Sequence, residues 1–131
     1  MQRYTYKAWP RPGGPHPAFP KQDVQRFEAF VDSGSPYCYF HSSIGKAIGI
    51  KIESGIKDSL GGIVQGALAD VFFQDVSLYV GADIIRIKAA FCDQLSAAGI
   101  LGRTGFFDNF IVTFDHSGTP PCFEIQRVGR V

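Results

Sequence analysis

Apolar and polar positions alternate with period two along most of the chain. Phe27, Ala29 and Val31 fall on one side and Arg26 and Glu28 on the other, the pattern of a half-buried strand that leads from Val24 into Asp32. The same period returns in Val76, Leu78 and Val80, in Ile85, Ile87, Ala89 and Phe91, in Phe110, Val112 and Phe114, and in Phe123 and Ile125. A His-Ser-Gly turn at 116–118 separates the last two runs. Helical spacing is scarce. Ser42 and Ser43 can cap a short helix that carries Ile44, Ala47 and Ile48 on one side and stops at Gly49. The run GRTGFFDNF, from Gly102 to Phe110, predicts one helical turn or two, with Phe106, Phe107 and Phe110 in the core. LGGIVQGAL, Leu60 to Leu68, places three glycines around an apolar tip, as expected of a mobile hairpin or loop. Short strands with turn signals between them predict a mainly β domain, a small closed or nearly closed barrel with one or two short helices.

Residues 1–20 depart from this pattern. They hold Pro10, Pro12, Pro15, Pro17 and Pro20, five of the eight prolines, among Tyr4, Tyr6 and Trp9. Proline removes ladder donors and favours extended chain, so this stretch reads as an arm rather than a central strand. The domain proper is expected over 21–131.

Composition narrows the partners. Thirteen lysines and arginines stand against twelve acids, which leaves no basic excess for nucleic acid or an anionic membrane. No apolar run approaches the roughly 20 residues that span a bilayer, and the first residues lack the apolar centre of a signal peptide. The expected address is the cytoplasm. Cys38, Cys92 and Cys122 are widely spaced and odd in number, which fits free thiols better than a disulfide framework or a zinc site. Cys38 and His41 have no second pair to complete a metal site. No GxSxG elbow surrounds Ser33, and Leu60–Leu68 lacks the spacing of a phosphate loop.

The remaining chemistry sits in AFVDSGSPYCYF, Ala29 to Phe40. An Asp-Ser-Gly triplet at a strand end is by itself the composition of an ordinary Asx turn. Its context adds to it: some 70 residues later AAGILGRTGFFDNF supplies Ile100, Leu101, Gly102 and Arg103, and the glycine-rich hairpin lies between. In that order the three parts resemble the retropepsin family of aspartic proteases, and the run GRTGFFDNFIVTFDH is similar to its bacterial members. The resemblance implies that Asp32 is the catalytic aspartate, that the Ser33 hydroxyl braces the loop of a partner chain, and that Gly34 brings its NH close to the acid. It implies that Gly61, Gly62, Ile63, Val64, Gln65 and Gly66 close over substrate, and that Ile100, Leu101 and Gly102 support the catalytic loop. It further implies an aspartic endopeptidase acting on peptide or protein substrates, with no metal and no organic cofactor.

Peptide hydrolysis by water needs one group to take a proton and another to give one, and two adjoining carboxyls sharing a proton do both. The chain carries one such triplet, so the second acid is expected from a second copy in a symmetric homodimer. Retroviral members usually carry an aspartate two residues after the catalytic glycine, paired with the arginine that matches Arg103; here Pro36 stands in its place, and Asp108 or a carbonyl is left to take over. That departure keeps a second reading open, a retropepsin-fold dimer that binds peptides or a protein partner without cutting. Ser35, as in pepsin-like enzymes, is expected to donate its hydroxyl to Asp32.

Overall fold

The computed structural model describes residues 2–5 and 24–129. The described residues form nine strands in two sheets. The larger sheet has the order β2-β7-β3-β6-β5-β4, with β2 at Phe30–Val31, β3 at Tyr39–His41, β4 at Ile56–Val64, β5 at Ala67–Val80, β6 at Asp83–Cys92 and β7 at Gly99–Leu101. The smaller sheet has the order β1-β9-β8, with β1 at Gln2–Thr5, β8 at Phe110–Asp115 and β9 at Cys122–Arg127. The mainly β expectation holds. Closure does not: the large sheet curls into a half-barrel whose edges, β2 and β4, remain apart in the strand order.

Alternation explains which face is buried. Val76, Leu78, Ile85, Ile87, Ala89 and Phe91 line the concave side of β5 and β6, while Ser77, Tyr79, Ile84, Arg86 and Lys88 stay outside. Phe110 and Ile125 of the small sheet pack into the same cluster, together with Phe106, Cys38 and Ile52. Burial at this density is the main stabilising term, roughly 1.5 to 3 kcal/mol for each large apolar side chain before entropy is counted.

Several elements differ from expectation for identifiable reasons. Phe27, Ala29 and Val31 are half-buried and Arg26 and Glu28 exposed, as the alternation requires, yet only Phe30 and Val31 pair. Their partner β7 is three residues long, so most of the run has no ladder to join. The short helix α1 spans Ser42–Ala47, but its cap is His41, whose Nδ1 accepts from the Ser43 amide at 3.1 Å. Gly49 follows at φ 85, the left-handed geometry that ends a helix. The run after Gly102 forms turns and no helix, because Gly105 at φ 109 breaks the helical path and sends its amide to Asp108 Oδ1. The arm contributes β1, an edge strand on β9, and residues 6–20 lie outside the described residues. Cys38, Cys92 and Cys122 are free thiols. Among the described residues no helix is long and apolar enough to cross a membrane.

Candidate active site

Asp32 is exposed at the end of β2, and its backbone is fixed from both directions. Its amide donates to the Leu101 carbonyl at 2.9 Å, and its carbonyl accepts from the Ser35 amide at 3.1 Å. The Gly34 amide donates to Asp32 Oδ1 at 2.9 Å. A Cβ at Gly34 would stand 3.0 Å from that oxygen, so glycine lets the chain turn tightly against the acid. One carboxylate oxygen is thus held by a main-chain donor and the group remains open to solvent. The Ser33 side chain is exposed and makes no hydrogen bond among the described residues.

Ser35 behaves differently from expectation. Its hydroxyl is 8% exposed and donates to the Tyr37 carbonyl at 2.9 Å, so it ties the loop to itself and does not reach Asp32. The acceptor is a backbone carbonyl two residues on, the local kind of partner that a serine in a turn competes for.

β7 runs through the opening of that loop. Ile100 pairs in parallel with Phe30 and antiparallel with Tyr39, so one short strand is clasped by the chain before Asp32 and the chain after it. Beyond β7 the interlacing continues: the Arg103 amide donates to the Ser35 carbonyl at 2.8 Å and the Thr104 amide to the Pro36 carbonyl at 3.0 Å. Gly102 sits where the two segments cross. A Cβ there would overlap the Tyr37 carbonyl oxygen and lie 2.6 Å from that of Ser35. The Arg103 side chain is exposed and has no ion-pair partner among the described residues. Asp108 does not take that place, because Oδ1 is occupied by the Gly105 amide and by Asn109 Nδ2 at 3.1 Å.

β4 and β5 make the glycine-rich hairpin, turning at Gln65 and Gly66. The pairing slips between Leu60 and Val64, where Gly61 and Gly62 lie, and Gly62 and Gly66 take φ of 84 and 72. Leu60, Ile63 and Val64 pack with Tyr37, Phe73 and Ile100 around a buried set of Tyr39, Ala69, Val71, Ala90, Cys92 and Leu95. The hairpin therefore shares one apolar surface with the two residues, Tyr37 and Ile100, that flank the Asp32 loop. A recess of about 700 Å³ lies against its tip, lined by residues 62–68. A larger hollow of about 830 Å³ opens between residues 24–31 and the half-barrel core, with Leu78, Phe91 and Ile125 among its walls. Asp32 does not line it, so this hollow is not the place where the acid could act.

Burial shapes the neighbouring titratable groups. It pushes the Cys38 thiol up from 9.0 to about 11, against which amide donors at Gly102 and Phe106 work only partly. Burial likewise raises Tyr39 and Cys92 above their ordinary values. These thiols are inert fillers rather than nucleophiles. Among the described residues no group of three or more His, Cys, Asp and Glu side chains is placed to hold a metal ion.

The structure brings Asp32, Ser33, Gly34 and Ser35 against Leu101, Gly102 and Arg103 through backbone bonds, and sets Ile63 and Val64 on the same apolar surface as Ile100. Tyr37 and Phe73, ring centroids 5.2 Å apart, escaped the reading of the sequence. Only the strand register places Phe73 there, although Tyr37, five residues from Asp32, could have been suspected. A single carboxylate can take or give a proton, not both at once. No family model, curated protein or solved structure matches the chain.

Proposed function

We propose that the protein is an aspartic endopeptidase of the retropepsin type, in which two copies of Asp32 face each other across the axis of a homodimer. The observation that carries this reading is the interlacing of the Asp32 loop with Leu101–Thr104, which holds an exposed carboxylate rigidly on main-chain bonds. Rigid placement is what a pair of acids needs, since two carboxyls a few ångströms apart must share one proton. The ionised member takes a proton from water while the protonated member gives its own to the substrate carbonyl oxygen. Ser33, exposed and unbonded among the described residues, is free to brace the partner's loop. The glycine-rich hairpin supplies Ile63 and Val64 as an apolar cover.

The deciding experiment incubates the purified protein with a peptide library from acid to neutral pH and maps cleavage by mass spectrometry. Cleavage that disappears in Asp32→Asn while dimer mass is retained supports the mechanism. Cleavage that survives the substitution overturns it. One observation favours the second reading, a dimer that binds peptides without cutting: Arg103 lacks an ion-pair partner among the described residues, and Pro36 occupies the position where one is expected. Saturable peptide binding with no cleavage at any pH would select that reading.

A further inference from the structure

The register of the hairpin puts one charge on its inner side. Ile56 stands opposite Phe73, Asp58 opposite Val71, and Leu60 opposite Ala69. Directly paired residues share a face, so Ile56, Asp58, Leu60, Ala69, Val71 and Phe73 lie on one side and Lys57, Ser59, Asp70 and Phe72 on the other. The first side is the one that packs around Tyr37, Ile100 and the hairpin tip. Asp58 is the sole charged residue in that set.

Among the described residues no cation pairs with its carboxylate. Lys57, the adjacent cation, lies on the opposite face and pairs with Asp70 at 3.7 Å. The contact Asp58 makes is local, Oδ1 accepting the Ser59 amide at 2.8 Å, and the residue is exposed. A carboxylate left on an apolar strip costs little while it is wet, and it gains most from a cation that arrives with an extended apolar stem. Phe73 is its diagonal neighbour and Tyr37 packs on Phe73, which continues the strip from Asp58 toward the Asp32 loop.

We infer that Asp58 selects substrate: it receives a lysine or arginine side chain of the bound peptide. The inference rests on the peptide-binding reading above and names the substrate class for that site. Asp58 is two residues before Leu60 and six before Val64, so at about 3.3 Å per residue it lies well back from the hairpin tip. The basic residue therefore flanks the scissile bond and does not form it.

The test compares wild type with Asp58→Asn, which keeps an oxygen for the Ser59 amide, and with Asp58→Lys. Matched peptides differ only in carrying lysine, norleucine or glutamate at one position away from the cut. Wild type is expected to favour lysine over norleucine by about 3- to 10-fold in kcat/KM, as one partly exposed ion pair with good geometry allows. Asp58→Asn should erase that ratio without slowing norleucine peptides, and Asp58→Lys should turn the preference toward glutamate. Equal ratios in all three proteins overturn the inference while leaving the protease reading intact. Should no peptide be cut, fluorescence anisotropy with the same labelled peptides decides the question. Binding that follows the same charge rule sustains Asp58 as the selector when catalysis is lost, and binding blind to charge, or none at all, sinks it.

Discussion

Gly102 lies so close beneath the Tyr37 carbonyl that a side chain at this position would occupy the same space. The neighbouring amides cannot yield, because Arg103 donates to Ser35 and Thr104 to Pro36 at 2.8 and 3.0 Å. Gly102→Ala must either break those bonds or displace the Asp32 loop. It is expected to destabilise by about 2 to 4 kcal/mol, the upper range for overpacking against fixed backbone. Urea unfolding measures this directly, and a midpoint equal to wild type would mean that the crossing is looser than described.

Ser35 gives a sharper test of the loop. Its hydroxyl bonds the Tyr37 carbonyl, so Ser35→Ala leaves a part-buried acceptor unpaired and should cost about 1 to 2 kcal/mol. The same geometry predicts that the acid limb of any pH–activity profile stays where it is, since no donor to Asp32 is lost. An upward movement of that limb would show that the hydroxyl turns to Asp32 in the active assembly.

The legible part of this molecule was the part written in residue type. Asp-Ser-Gly, Ile-Leu-Gly and a glycine-rich hairpin are compositions that few backbones other than tight turns and close crossings require, and Gly34, Gly62, Gly66 and Gly102 meet such requirements. Choices between competing partners were not legible. Ser35 could have bonded Asp32 or Tyr37; Asp108 could have met Arg103 or the Gly105 amide; His41 displaced Ser42 and Ser43 as the cap of α1. Each is settled by geometry that exists only in the folded chain. Closure of the barrel was equally hidden, because it depends on whether β2, only two residues long, can find β4.

Cys38 sets an alkaline limit. Burial raises its thiol from 9.0 to about 11, so the folded state holds the proton more tightly than the unfolded chain does. Stability is therefore complete below about pH 9 and declines as pH rises toward 11, and Tyr39, raised by the same cause, acts in the same direction. Replacing Cys38 by alanine should lower stability at neutral pH by about 1 kcal/mol through the lost sulfur contact. It should also flatten the decline between about pH 9 and 11. Parallel slopes for the two proteins in urea unfolding would mean that the thiol is not the group responsible.

The hairpin tip is the part whose motion the sequence and structure jointly specify. Ladder pairing is continuous from Ile56 to Leu60 and is lost across Gly61 and Gly62 before Val64 meets Ala67. Few ladder bonds therefore hold residues 61–66, whereas Phe72 and Phe73 of β5 are paired on both sides and Val71 and Val76 beside them are buried. Local opening follows the number of such bonds, so tip amides should exchange far faster than those of β5 in the free protein. Ile63 and Val64, half-buried on the surface shared with Tyr37 and Ile100, give the tip an apolar reason to settle when a ligand fills the space beside them. A peptide with a tetrahedral hydroxyl in place of the scissile carbonyl should slow exchange across Gly61–Gly66 by about tenfold or more, as loops that close over substrate do. Gly62→Ala, forced to φ 84, should cost about 1 kcal/mol and weaken that protection. Exchange at the tip that is untouched by the bound peptide would reduce the hairpin to a plain connection, and the cover over Asp32 would have to come from elsewhere.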